Sequence, residues 1–269
     1  MWGQVEVYIA AHGWAVRLGQ VSGPGARLPL ADGCLGRLRH GLVPHVRLEA
    51  CWYDMGLNTP TVSVMSVLRV HPENPQPRLM QQAVARLEQG AVIVLPTDAC
   101  YALACRLGDK AGAERIRRLR QVDEDHHLTL LCRDLSELGL YAKVDNTAFR
   151  LMKTLTPGPY TFILPATREV PRRLQHPKRR TVGLRVPDSR VVHALLTELG
   201  EPLMSATLQL PGDPHPLSEP WEIEERLGRQ VDGIVDSGAG TLEATTVIDL
   251  TGPVPEVVRH GLGSVNFLD

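Results

Sequence analysis

The chain has no apolar stretch approaching the ~18–20 residues needed to cross a bilayer, and no CxxC pair among its five cysteines. It has no excess charge of either sign, since 29 Lys and Arg face 30 Asp and Glu. The first absence excludes a membrane helix, the second a disulfide framework or zinc ribbon, and the third a strongly basic nucleic-acid coat. The N-terminus has Glu6 and His12 where a signal peptide wants a cationic start and an apolar run, so a cytoplasmic protein without membrane partners is expected. The common nucleotide and hydrolase fingerprints are also missing: GxxxxGK[ST], GxGxxG after a strand, HExxH and GxSxG. A P-loop ATPase and a Rossmann dehydrogenase are thereby set aside. No internal repeat or low-complexity tract occurs. Cys100, Cys105 and Cys132 sit among apolar residues and read as buried reduced thiols, with a catalytic thiolate as the alternative.

What is present is the balance of a globular protein: 269 residues, 43% hydrophobic and 22% charged. That length suits one large domain, or one domain plus an appendage. Residues 1–64 hold three of the four tryptophans and nine glycines, have no lysine, and keep no helical or strand period for ten residues. The texture changes at Met65, where short apolar runs begin to alternate with amphipathic stretches. Residues 1–64 therefore read as a poorly patterned extension. It is either an accessory segment or an upstream stretch read through before a natural start at Met65, and the second reading is favoured. Residues 65–269 form the main domain, with 24 basic and 26 acidic residues.

Within that domain the pattern predicts helices over about 74–89, 111–120, 134–140, 145–155, 191–199 and 221–227. Strands are expected over about 91–95, 128–132, 160–164, 182–186, 231–235, 245–250 and 256–260, with an apolar run at 202–210. Alternation at this spacing argues for an α/β sheet with helices packed on it. Hydroxyls and arginines cluster at strand ends: Pro96–Tyr101, the basic helix Arg115–Arg120, Gly158–Thr161, Gly183–Pro187 and Ser205–Thr207. In open α/β sheets ligands sit beyond strand ends, so such groups are placed to converge on one phosphate-rich ligand. Taken singly, each cluster also reads as a turn or a helix cap. His126 and His127 follow the acidic run Asp123-Glu124-Asp125, but adjacent side chains point apart in extended chain, and no metal site is expected. Arg172, Arg173, Lys178, Arg179 and Arg180 form a basic cluster, read either as a solvated loop or as a contact for RNA phosphates or triphosphate.

The segment Pro96-Thr97-Asp98-Ala99-Cys100-Tyr101-Ala102-Leu103-Ala104-Cys105 resembles a PT(D/E)xxYGLG motif. In collinear order it is followed by a basic helix, Gly158-Pro159-Tyr160-Thr161-Phe162, Arg185-Val186-Pro187 and a hydroxyl-bearing turn at Ser205-Ala206-Thr207. These motifs are similar to those of the YrdC-like family of threonylcarbamoyl-AMP synthases, from about Val67 to Gly263. His71–Gln76, Cys132–Leu138, Val144–Asn146, Phe149–Lys153, Thr156–Gly158, Glu169–Leu174 and Thr245–Thr251 resemble its YciO branch more closely. The resemblance implies a twisted open mixed α/β sheet with helices packed on it and a concave basic cavity. It also implies ATP and Mg2+ as cofactors, L-threonine and bicarbonate as substrates, threonylcarbamoyl-AMP and pyrophosphate as products, and a link to tRNA t6A modification. Binding of tRNA or double-stranded RNA, with weak or absent synthase activity, is the alternative.

Carried over by position, the resemblance assigns Arg120 to the ATP phosphates, as the first basic residue of a KxR motif, and Thr161 to the nucleotide. Ser205 and Thr207 match hydroxyls that contact threonine and ATP, and with Arg120 are the expected catalytic set. Thr245 and Arg259 are assigned to threonine and ATP respectively, while Thr97, Tyr101 and Arg185 are expected on the threonine side. For the last three, turn capping or an internal ion pair is the competing role. The chain departs from the family where Val122 replaces the second basic residue of KxR and where Leu208 and Gln209 follow the hydroxyl turn. Val122 cannot pair with a phosphate, and Leu208 is expected to add bulk near an adenylate.

Overall fold

The computed structural model describes residues 7–11, 14–18, 66–122, 128–172, 175–176 and 178–266. The chain divides into two compact units, Met1–Thr61 and Val62–Asp269. In the first, β1 (Val7–Ala11) and β2 (Trp14–Leu18) pair antiparallel with Ala11 opposite Trp14.

The second unit alternates as the patterning predicts. Its strands are β3 (Ser66–Arg69), β4 (Ile93–Leu95), β5 (Ala102–Arg106), β6 (Thr129–Leu131), β7 (Tyr160–Pro165), β8 (Thr181–Arg185), β9 (Leu203–Thr207), β10 (Gly233–Asp236), β11 (Thr246–Asp249) and β12 (Glu256–Arg259). They form one open sheet in the order β12-β11-β7-β8-β6-β9-β5-β4-β10-β3. Pairing is mixed: β3, β10 and β4 run parallel, as do β6 with β8 and β7 with β11, and the remaining neighbours are antiparallel.

Among the described residues six helices pack on this sheet: α1 (Pro77–Glu88), α2 (Lys110–Arg120), α3 (Leu135–Tyr141), α4 (Asn146–Leu155), α5 (Arg190–Leu199) and α6 (Pro220–Leu227). Their ends carry the expected local chemistry. Proline, whose fixed φ suits a first turn and which has no N–H to leave unpaired, opens α1 at Pro77, three residues later than the periodicity suggested. Asp109, Asp145 and Ser189 cap α2, α4 and α5 by accepting from backbone amides of the first turn.

Strand alternation sorts the apolar residues into two layers. Val92, Val94, Leu103, Leu130, Phe162, Leu164, Val182, Leu184, Met204 and Ile248 face one core, shared with Ile116, Met152 and Ile223 of α2, α4 and α6. Their neighbours Ile93, Leu95, Ala104, Leu131 and Leu203 face the other, under Met80, Val84 and Leu87 of α1 and Val192, Leu195 and Leu196 of α5. Strand β5 was not foreseen, because its Ala-Leu-Ala-Cys-Arg sequence has little of the β-branched or aromatic character of a strand. Here its pairing with both β4 and β9 overrides local propensity.

Candidate functional site

The second face of the sheet continues past the helices as the floor of a hollow. Following the period of two, Thr129 lies on the same face as Leu131, Ser205 as Leu203, and Ala102 as Ala104. Register carries one row across the strands, Ile163 opposite Gly183, Gly183 opposite Thr129, Thr129 opposite Ser205, and Ser205 opposite Ala104. Thr161, Thr181, Thr207 and Thr245 extend the polar part of this floor in a cavity of about 330 Å³. That volume lies at the lower end of the range of small-molecule sites. Gly183 gives the floor its depth, because a Cβ there would stand 3.3 Å from Thr129 Oγ1 and 3.6 Å from Thr161 Cγ2.

Among the described residues four arginines reach this hollow: Arg120, Arg179, Arg185 and Arg259. No carboxylate lines it among the described residues. Each guanidinium comes from a different element. Arg120 ends α2, whose Arg115 forks onto Asp232 at 2.5 and 3.2 Å and so ties the helix to the far side of the sheet. Arg259 sits opposite Val247 in the β11–β12 pair and donates to the Thr245 carbonyl from Nε and Nη2 at 3.1 and 2.9 Å. The same Nη2 reaches Thr245 Oγ1 at 3.1 Å, and that hydroxyl shares a hydrogen bond with Thr161 Oγ1 at 2.9 Å. Arg259, Thr245 and Thr161 thus form one chain of donors along the wall. Ser205 Oγ donates to the Thr129 carbonyl at 3.0 Å, which orients its oxygen on the floor.

Arg185 is the most deeply set, at 5% exposure, and is held by Asp98 Oδ1. Asp98 Oδ2 and Arg185 Nε are buried with no hydrogen-bond partner. The Asp of the PT(D/E) segment, which was assigned no role from sequence, is therefore the counter-ion of the cavity's innermost cation. Burial lowers the Arg120 guanidinium below its usual pKa, and the charge of Arg259 lowers it further. Partial burial lowers Arg259, with Arg185 acting in the same direction. Cations that depress one another in this way are stabilised by an anion placed between them. Cys100 also lines the cavity, and burial raises its thiol above the ordinary range, which keeps it protonated and a poor nucleophile.

Arg120, Thr161, Arg185, Ser205, Thr207, Thr245 and Arg259 come together around this one hollow. Two of the expected residues do not line it. Thr97 closes a turn, its Oγ1 donating to the Cys100 carbonyl at 2.6 Å and accepting from the Ala99 amide at 3.1 Å. Tyr101 is fully buried in the core, and its hydroxyl donates to the Gly238 carbonyl at 2.7 Å. The residue after Cys100 on an extended chain must face the opposite side, and that side is the helix-covered core. Leu208 likewise packs in the core instead of adding bulk near a ligand, and the Gln209 amide donates to the Asp213 carbonyl. Of the basic cluster, Arg172, Lys178, Arg179 and Arg180 are exposed, but Arg179 lines the cavity together with His176. Arg173 and the run Asp123–His127 lie outside the described residues. No group of His, Cys, Asp and Glu able to hold a metal occurs among the described residues, and no helix there is long and apolar enough to cross a membrane.

An open mixed sheet with helices packed on it and a hollow of arginines and hydroxyls on one face defines an α/β protein whose hollow has the donors that suit an anion. Comparison with known proteins narrows that class. The family model Sua5_yciO_yrdC, described as telomere recombination, matches residues 85–261. The chain is 55% identical to Escherichia coli (strain K12) YciO over 196 residues, 73% of this chain and 95% of that protein. It is 31% identical over 159 residues to the threonylcarbamoyl-AMP synthase of Vibrio vulnificus (strain YJ016), covering 58% of this chain and 84% of that one. The crystal structure of E. coli YciO aligns with a TM-score of 0.73 at 53% identity, over 75% of this chain and 98% of that chain. P. abyssi Sua5 complexed with L-threonine aligns with a TM-score of 0.67 at 26% identity, over 72% and 57% of the respective chains. The chain belongs to the Sua5–YciO–YrdC family, in its YciO branch, and is related through that family to the threonylcarbamoyl-AMP synthases.

Proposed function

We propose that this protein condenses L-threonine, bicarbonate and ATP to threonylcarbamoyl-AMP and pyrophosphate in the hollow described above, and that the product supplies tRNA t6A modification. The observation that carries this reading is the convergence of Arg120, Arg185 and Arg259 on a hydroxyl-lined floor that no carboxylate lines among the described residues. Mutually repelling guanidiniums suit a polyanion, and a planar fork suits phosphate better than a point charge does. The kinship with threonylcarbamoyl-AMP synthases, and the L-threonine held by P. abyssi Sua5, support the choice of substrates.

In the reaction, the threonine amine bonds to the bicarbonate carbon with loss of water. An oxygen of the resulting carbamate then attacks the α-phosphorus as the bond to pyrophosphate breaks. No covalent enzyme nucleophile is required, so catalysis consists of positioning and charge stabilisation. Arg120 and Arg259 stabilise the charge on the phosphoryl oxygens. One hydroxyl of the hydrogen-bonded Thr161–Thr245 pair donates to the same ligand from the wall, and Ser205 and Thr207 orient the carbamate on the floor. Arg185, neutralised by Asp98, faces the threonine carboxylate as a fixed dipole. Among the described residues the lining offers Mg2+ no carboxylate, so the ion would arrive on the nucleotide's phosphates, where it favours several waters.

The test is pyrophosphate release from ATP by the full chain with Mg2+ and bicarbonate, with and without L-threonine. Threonine-dependent release is expected, falling about 100-fold in Arg120→Ala, the scale of one lost oxyanion donor. Release indifferent to threonine would point to another amine. A folded protein that neither binds ATP nor releases pyrophosphate, yet shifts structured RNA in a salt-dependent manner, would replace this reading with RNA binding.

A further inference from the structure

The basic cluster between β7 and β8 reads from sequence either as a solvated loop or as a contact for RNA phosphates or triphosphate, and two residues of this segment line the hollow. His176 and Arg179 share its lining with Thr181 and Gly183 of the following strand. The turn that brings them there is closely built. His176 Nδ1 accepts from the amides of Lys178 and Arg179, each at 3.1 Å. The His176 amide donates to the Thr181 carbonyl at 2.8 Å, and the Arg180 amide returns to the His176 carbonyl at 2.8 Å. Arg180 adopts the left-handed conformation, φ 53°, at which the chain reverses into β8. A non-glycine residue held there is uncommon and persists where surrounding bonds over-determine it. The Arg180 carbonyl accepts from the Ala166 amide at 2.9 Å, which ties the turn to the end of β7. With Nδ1 engaged as an acceptor, the ring is held in the tautomer that keeps its proton on Nε2.

The turn thus presents a guanidinium at the mouth of the hollow. The Arg179 side chain is 71% exposed, and its carboxylate neighbour, Asp249, stands at 4.0 Å, the outer limit of an ion pair. Its charge is therefore only weakly neutralised within the protein. On the α2 side of the same hollow, the position two residues beyond Arg120 is Val122, which has no charge to offer. Arg185 lies on the floor with its own counter-ion, so additional charge for an extended polyphosphate has to enter at the rim.

We propose that Arg179, aimed by the His176 turn, binds the distal phosphates of the nucleotide and serves there as a further phosphate-binding cation beside Arg120 and Arg259. This rests on the nucleotide reading of the cavity and adds to it the direction of the ligand, with its terminal phosphates at the mouth beside His176 and Arg179. It also gives part of the basic cluster a role inside the site and leaves Arg172, Lys178 and Arg180 outside it.

The experiment is equilibrium binding of ATP, inorganic tripolyphosphate and AMP to the full chain, to Arg179→Ala, to Arg179→Lys and to Arg172→Ala as a control in the same cluster. Wild type is expected to bind ATP. Arg179→Ala should bind ATP and tripolyphosphate about tenfold more weakly, the scale of one charge-assisted hydrogen bond, with AMP unchanged. Arg179→Lys should recover part of the loss, and Arg172→Ala should match wild type. If Arg179→Ala binds ATP as wild type does, the inference is wrong while the cavity reading stands. Equal losses for ATP and AMP, or for Arg179→Ala and Arg172→Ala, would also overturn it. A wild-type chain that does not bind ATP would remove the nucleotide reading and this inference with it.

Discussion

Two halves of one sheet face differ in the side chains they carry and in what covers them. Over β4, β5 and the near parts of β6 and β9, that face carries Ile93, Leu95, Ala104, Leu131 and Leu203 and is closed by α1 and α5. Over β7, β8 and the far ends of β6 and β9 it carries Thr161, Thr181, Gly183, Thr129 and Ser205, and lies open as the hollow. The strands continue from one half to the other, and β6 and β9 serve both. The covered half stabilises the unit by removing apolar surface from water. The open half keeps hydroxyls and guanidiniums on a rigid floor, where the ladder hydrogen bonds fix their spacing before any ligand arrives. A site placed on strands is held more tightly than one placed on loops, and here the helices on the closed half anchor the strands that carry the ligand-facing groups.

That division can be broken at its joints. The largest effect is expected at the Asp98–Arg185 pair, where Asp98→Asn leaves a buried guanidinium without its counter-ion and should cost about 3–5 kcal/mol of folding stability. Urea unfolding at pH 7 measures this, and a loss below about 1 kcal/mol would show that Arg185 does not depend on Asp98. In the closed half, Leu195→Ala removes a fully buried side chain and should cost about 3 kcal/mol. Its affinity for ATP at a temperature where the variant stays folded should be unchanged, and weakened binding would mean that the halves are coupled. The smallest effect is expected in the open half. Gly183→Val directs two methyl groups onto the floor and should raise the KM for threonine about tenfold, or about 1.4 kcal/mol, while moving the urea midpoint little.

Much of this architecture is legible in the residues. The alternation of Thr161-Phe162-Ile163-Leu164 and Thr181-Val182-Gly183-Leu184-Arg185 already separates a polar set from an apolar set. Helix ends follow local chemistry at Asp109, Asp145, Ser189 and Gly200, whose preferences act within one turn, whereas Pro77 opens α1 three residues inside the span that periodicity suggested. The motif positions that line the cavity were those whose side chains fall on the open face. Thr97 and Tyr101 belong to the same motif segment but are assigned to a turn and to the core. Motif membership records which residues travel together, whereas strand phase decides which of them face the ligand. Asp98 went unremarked because its partner lies 87 residues away in the chain.

The sequence by itself determined the alternation of helices and strands, the two-layer division of the apolar residues, and the hydroxyls and arginines available to a site. These follow from periods of 2.0 and 3.6 and from capping chemistry that acts over a few residues. Only the tertiary structure decided which half of the sheet face was covered and which was open. It also turned Leu208 into the core and set Arg179, whose cluster reads in sequence as a solvated loop or a phosphate contact, at the mouth of the hollow. Such outcomes depend on strand order, on register and on turns closed between distant segments, and a local periodicity is compatible with more than one of each.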